Sequence, residues 1–246
     1  MIIAYLYHDL LNLYGESGNI KMIDKILSDN KIKHKILYLS LNDELNFDDY
    51  DLVYIGSGTE RNELIALENL KKYTKDIKKY IESGKHFFVT GNTLDLFGKT
   101  ITDGKKISAL SIFDYEVKHG DRKMHDVQVE SHVTNKKIYG FINNMSDTNI
   151  EYNLFDYGFR IKNFIGTYII GPILVRNPEF TKYYMNNLTG KKLKYDLKNE
   201  EKAYDRFTLR YKNGGTKQWC HFFILIIVLN KILLYNYYRV VIWRLW

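Results

Sequence analysis

The stretch Lys85–Gly98, KHFFVTGNTLDLFG, constrains this chain more than any other. An apolar run, His86 to Val89, stops at Thr90-Gly91-Asn92-Thr93 and passes at once into a short helical pattern through Leu94, Leu96 and Phe97, closed by Gly98. Strand, tight turn and helix in so few residues belong to an α/β sheet. In such enzymes this turn holds a nucleophile at the carboxyl end of a central strand, with helix N–H groups nearby to stabilise an oxyanion. Here the turn offers only Gly, Asn and Thr.

The flanking sequence carries the same rhythm. Ile2–Leu6 is an apolar run suited to a buried strand, followed by a polar, Gly-punctuated segment and then by Ile20, Ile23 and Leu27 at helical spacing, with Asn19 as the expected N-cap. Lys33–Leu41 reads as a second strand, and Leu52–Ile55 as a third that ends in Gly56-Ser57-Gly58. Leu64, Leu67, Leu70, Tyr73, Ile77 and Ile81 predict a helix over Glu60–Ser83, stopped by Gly84. Past Gly98 the runs shorten and look antiparallel or mixed, near Ile112–Val117, Asp126–Ser131 and Ile138–Ile142. Phe164–Leu174 is expected as another buried strand, with helices from Pro178 toward Leu188 and over Asn199–Tyr211. The predicted fold is α/β, a mostly parallel central sheet flanked by helices with a β-rich second half, in one domain from 1 to 211.

Composition excludes several function classes. The single cysteine, Cys220, rules out a disulfide framework or a Cys-based metal site and suits a reducing compartment. The N-terminal run lacks the basic region and cleavage site of a signal peptide, so a cytoplasmic location is expected. Of the formal charge of +7, five positive charges lie from Lys212 onward with no acidic residue among them, which leaves +2 on residues 1–211. That balance argues against nucleic-acid binding. Residues 212–246 form an apolar, basic tail whose run Phe222–Leu229 is broken by Asn230-Lys231, short of the roughly 18 uncharged residues of a membrane span. An out-of-frame tail is the first reading, an interfacial or buried amphipathic segment the second, which if interfacial would sit at the inner face of the membrane, and a spanning helix the third.

Three motifs carry a resemblance. Tyr7-His8-Asp9-Leu10-Leu11-Asn12-Leu13-Tyr14-Gly15-Glu16-Ser17-Gly18-Asn19-Ile20 resembles the N-terminal signature of the glutaminase subunit (GatD type) of lipid II isoglutaminyl synthase, Gly56–Arg61 its Gly-rich loop, and Gly166–Pro172 its late catalytic strand. The similarity covers residues 1 to about 211. It implies a class I glutamine amidotransferase fold of the CobB/CobQ-like branch, in which a Cys on the elbow attacks the side-chain amide of glutamine, a His acts as base and backbone N–H groups hold the oxyanion. It also implies a Mur-ligase-like (MurT-type) partner that uses ATP and Mg²⁺ to activate the D-glutamate carboxyl of lipid II in peptidoglycan synthesis. No cofactor or metal is expected on this chain.

Alignment on Leu96-Phe97-Gly98 places the family's nucleophile at Gly91 and its His at Ile170, so both reactive groups are replaced. Thr90 and Thr93 are hydroxyls near the elbow, but read better as strand-end and cap residues. Arg122 matches the family's receptor for the glutamine carboxylate, a task suited to a planar guanidinium; a surface Arg in a polar turn is the equal alternative. Gly56, Ser57 and Gly58 could bring backbone N–H groups to an oxyanion, and Asp9, Asn12 and Glu16 could form a polar partner surface or a capped loop end. Among the histidines, His125 is singled out because it closely follows Arg122. The resemblance therefore implies a GatD-like subunit without Cys–His chemistry, a pseudoenzyme; a non-catalytic scaffold for a Mur-ligase-like protein and a decaying paralogue are the alternatives.

Overall fold

The computed structural model describes residues 1–212. Its elements in chain order are β1 (Ile2–Leu6), α1 (Ser17–Asp29), β2 (Lys35–Leu39), β3 (Leu52–Ile55), α2 (Glu60–Leu70), α3 (Thr74–Glu82), β4 (His86–Thr90), β5 (Thr100–Asp103), β6 (Lys105–Ser108), β7 (Glu116–Val129), β8 (Ile138–Thr148), β9 (Gly158–Ile161), β10 (Phe164–Thr167), α4 (Ile173–Arg176), α5 (Pro178–Thr189) and α6 (Lys198–Lys212). Met1–Thr208 forms one compact unit. The expected tail, residues 212–246 with Cys220, lies outside the described residues apart from the backbone of its first residue.

Six strands form the main sheet in the order β2-β1-β3-β4-β10-β9, all parallel except β9, which runs antiparallel to β10 at the edge. The central strands are buried along almost their whole length, as unbroken apolar runs in a sheet covered on both faces must be. The β-rich half is a second, mixed sheet in the order β6-β5-β7-β8. A short 3-10 helix, Gly91–Phe97, links the two sheets and is buried throughout. Phe97 packs edge-on against Phe87 at 5.3 Å and against Phe164 at 5.1 Å between ring centroids. Burying a ring of that size is worth roughly 2–3 kcal/mol, which anchors the elbow to the core.

Several local expectations change. The helix over Glu60–Ser83 is two α-helices joined by a 3-10 turn at Lys71–Tyr73, and Gly84 ends it with φ +80°. Ile112–Val117 and Asp126–Ser131 are not separate strands, since Glu116–Val129 is one long strand interrupted by a bulge between His119 and Lys123. The strand foreseen over Phe164–Leu174 ends at Thr167; Ile170 pairs with Phe141 by an isolated bridge and α4 follows Pro172. Asn19 is not an N-cap. The helix begins at Ser17, and the Asn19 side chain is buried against Tyr54 and Glu16 instead.

Candidate functional site

Position 91 sits at the end of β4, where the chain turns sharply. Thr90 is extended, and Gly91 follows at φ +73°, a left-handed conformation that costs an L-residue roughly 1–2 kcal/mol and glycine nothing. The frame of a nucleophile elbow is therefore present. Ile170 is fully buried beside it, fixed by its N–H to Phe141 O at 2.9 Å and by Phe141 N–H to Ile170 O at 3.2 Å. A Cβ on residue 91 would lie 2.9 Å from Ile170 Cγ2, so the positions assigned to nucleophile and base are neighbours. The same Cβ would overlap both Cβ and Oγ of Ser57. Serine and isoleucine fill the volume in which a reactive side chain would stand.

The Gly-rich turn after β3 is closed by its own neighbours. Ser57 is 1% exposed and its hydroxyl donates to Asn92 Oδ1 at 2.9 Å; the Gly58 N–H donates to the same oxygen at 3.3 Å. Asn92 Nδ2 returns a bond to Gly58 O at 3.0 Å, and the Thr93 hydroxyl donates to Gly56 O at 2.6 Å. The glycines serve the opposite side of the turn: a Cβ at 58 would lie 3.2 Å from Leu10 O, and the Leu13 N–H reaches Ser57 O at 2.9 Å.

Arg122 stands in the β7 bulge, a device that re-aims a side chain out of the ladder. Its guanidinium donates to Glu60 Oε1 at 2.7 Å, to Asn143 Oδ1 at 2.9 Å and weakly to Met145 Sδ at 3.5 Å. Asn143 in turn donates to the Tyr14 hydroxyl, and Tyr14 holds φ +59°, a strained conformation for a tyrosine. A carboxylate thus already occupies the fork of Arg122.

Beneath the elbow the surroundings are polar. Glu16, placed by sequence on a partner surface or a loop end, is 0% exposed. Its Oε1 accepts from the Gly171 N–H at 2.9 Å, and Oε2 accepts from the Tyr54 hydroxyl at 3.1 Å, from Asn19 Nδ2 at 3.3 Å and from the Thr90 hydroxyl. Burial raises its pKa to about 7, opposed by those hydrogen bonds and by the charge of Arg176. Thr90 therefore does have a basic partner, but inside the core, facing other core residues. Asp9 is exposed and accepts from the Ser40 hydroxyl at 2.7 Å.

A second polar cluster surrounds Asp95, also 0% exposed. It accepts from the Tyr168 hydroxyl at 2.6 Å and the Ser146 hydroxyl at 2.6 Å, and His119 Nε2 lies 3.0 Å away. That hydrogen bond raises the His119 pKa, with burial acting against it. Glu63, buried nearby with one oxygen unpartnered, is held well above the ordinary carboxyl range by burial and by the charges of Asp95 and Glu60. His125 is exposed on β7. Among the described residues no group of three or more His, Cys, Asp and Glu side chains is placed to hold a metal ion.

Residues 2–178 match the CobB/CobQ-like glutamine amidotransferase domain. The chain belongs to that family. Among curated relatives it is similar to subunit GatD of the glutamine-hydrolysing lipid II isoglutaminyl synthase of Staphylococcus aureus (strain N315), 29% identical over 217 residues that cover 76% of this chain and 85% of the relative. The GatD subunit of Streptococcus pneumoniae (strain ATCC BAA-255 / R6) is 26% identical over 215 residues, 79% of this chain and 83% of the relative. Two solved glutamine amidotransferases share the fold. One has TM-score 0.51 at 12% identity, covering 76% of this chain and 98% of that one; the other, from Thermotoga maritima, has TM-score 0.50 at 13% identity, covering 84% and 92%. The family fold expected from the sequence is the one observed. Two residues of the site, Glu60 and Asp95, are not singled out by the sequence, which marks Asn92 only as a turn residue and His119 only as a surface or satisfied histidine. Asn92 stands directly beside Gly91, and that adjacency was the available signal.

Proposed function

We propose that this chain is a GatD-type subunit of a lipid II isoglutaminyl synthase that has lost Cys–His glutaminase chemistry and serves its ligase partner as a folded scaffold. The observation that carries this reading is the filled volume at the elbow, where a side chain on residue 91 would collide with Ser57 and press on Ile170. Hydrolysing a carboxamide through an acyl-enzyme needs an activated nucleophile and a base within hydrogen-bond reach of it. Neither threonine supplies the pair, since Thr93 donates to Gly56 O and Thr90 is bonded to Glu16 within the core. The partner is a MurT-type ligase that contributes ATP, Mg²⁺ and the lipid II site, and the complex works at the cytoplasmic face of the membrane, where that lipid-linked substrate is presented.

The test is amidation of lipid II by the chain copurified with its MurT-type ligase. We expect ammonium to support the reaction and glutamine not to. Release of glutamate from glutamine that Thr90→Val or Thr93→Ala abolishes would reveal a working hydroxyl nucleophile and defeat the proposal, as would failure to form any complex with the ligase.

A further inference from the structure

We infer that the chain carries an internal imitation of glutamine in its own glutamine site, with the Asn92 carboxamide standing at the amide end and the Glu60 carboxylate at the carboxylate end. The inference rests on the reading of this region as a former glutamine site.

Glutamine offers such a site two chemically distinct ends. Its side-chain carboxamide needs donors for the oxygen and an acceptor for the NH₂, and its α-carboxylate needs a cation. The Gly56–Glu60 turn receives a carboxamide at one point and supplies a carboxylate to Arg122 at the other. At Gly58 both ends of a carboxamide are held: its oxygen takes the Gly58 N–H at 3.3 Å and the Ser57 hydroxyl at 2.9 Å, and its NH₂ gives one bond to Gly58 O at 3.0 Å. Asn92 is 3% exposed and Ser57 1%, so these are desolvated contacts in which each unpaired group would cost about 1–3 kcal/mol. Two residues further, Glu60 places a carboxylate 2.7 Å from Arg122 Nη2. Two residues of chain reach at most about 7 Å, so Gly58, which receives the amide, and Glu60, which fills the carboxylate receptor Arg122, stand on one short turn. The Asn143 bond to Arg122 and the strained Tyr14 that receives a bond from Asn143 hold the guanidinium toward Glu60.

This arrangement explains why a site without chemistry keeps its receptors. Without Asn92 the buried Gly58 N–H and Ser57 hydroxyl would be left with unmet polarity, and without Glu60 the partly exposed Arg122 would lose its carboxylate. The chain's own side chains satisfy them. Free glutamine must then displace two intramolecular groups whose local concentration is far above that of any metabolite.

The experiment is calorimetric titration of L-glutamine into the full-length chain. The variants are Asn92→Ala, Glu60→Gln, the pair, and the pair with Arg122→Ala. Wild type should show no saturable binding up to millimolar glutamine, the double variant should saturate at least about tenfold below the highest concentration tested on wild type, and Arg122→Ala should abolish the gain. D-Glutamine should bind none of them. Should the double variant be too unstable to titrate, its melting temperature must rise with L-glutamine and not with D-glutamine, since a ligand that refills the vacated site stabilises the folded state. Wild type binding as tightly as the double variant, or a double variant that neither binds nor is stabilised, overturns the inference. Binding is read without partner or turnover, so hydrolysis by the wild-type chain would break the functional proposal, while an empty double variant breaks this one alone.

Discussion

Gly91 and Asp95 open and close the same turn of 3-10 helix, and their surroundings are opposite in kind. Around Gly91 the space is filled by Ser57 and Ile170, with no titratable side chain among its nearest neighbours. Around Asp95 stand a histidine, a serine and a tyrosine, each within 3.0 Å, drawn from β7, from β8 and from the segment after β10. Polar side chains converge on Asp95, where the two sheets join, while a serine and an isoleucine close the space over Gly91. A buried carboxylate is costly unless partnered, so the three partners of Asp95 mark a structural role, and the fit of Ser57 and Ile170 over Gly91 leaves no room for a side chain there.

The largest effect should follow from breaking the polar side of this contrast. Asp95→Ala strands two hydroxyls and the His119 ring together, and we expect a loss of about 3–5 kcal/mol in urea denaturation. A loss below about 1 kcal/mol would mean that Asp95 does not hold the sheets together. On the apolar side, Gly91→Ala should lose about 2–4 kcal/mol, from the left-handed backbone and the collision with Ser57. Ser57→Gly in the same chain should recover the steric part, a positive coupling in a double-mutant cycle. Additive losses would show that Ser57 does not fill the space over residue 91.

The pH dependence of stability separates the two polar clusters. The Glu16 pKa is raised from an ordinary 4.5 to about 7, so the folded state holds a proton that the unfolded chain releases. Stability therefore falls as pH rises between those values, by about 3 kcal/mol in all, and is flat above. His119 is also raised, from 6.5, so its contribution is fully present below that value and is lost as pH rises through the folded one. The two windows follow one another. Glu16→Gln should remove the slope below pH 7 relative to wild type, and His119→Gln the slope above 6.5; a Glu16→Gln chain that keeps the wild-type profile would contradict the buried, protonated carboxyl.

Much of the fold can be read from periodicity, because the strands that are buried on both faces, β1, β3 and β4, are apolar along their length and end at turn residues. Periodicity fails where an apolar run is buried without being a strand: Ile169 and Ile170 are as apolar as β10, yet the chain there leaves the sheet to pair with Phe141. It fails again for buried polar groups. Glu16 and Asn19 look like loop residues until Tyr54, Thr90 and Gly171 are brought around them from up to 155 positions away. The family resemblance points to Gly91 and Ile170 as the positions to inspect, whereas the closure of the elbow cannot be read from it. That depends on where Ser57 and Asn92 meet, 35 positions apart in the chain.

The smallest expected effect belongs to the Glu60–Arg122 pair, and its smallness is informative. The two side chains are 30% and 43% exposed, against 0% for Asp95, so water screens their attraction. Exposed ion pairs of this kind contribute about 0–1 kcal/mol and weaken further with salt. Glu60→Gln should accordingly lower the unfolding free energy measured in urea by less than about 1 kcal/mol, and the loss should vanish at high ionic strength. A larger, salt-independent loss would make the pair part of the scaffold, like Asp95. A small one leaves it free to act on ligands: a contact that stabilises the fold so little can be broken without unfolding the chain, and any glutamine binding that Glu60→Gln allows then reports on the occupancy of Arg122 alone.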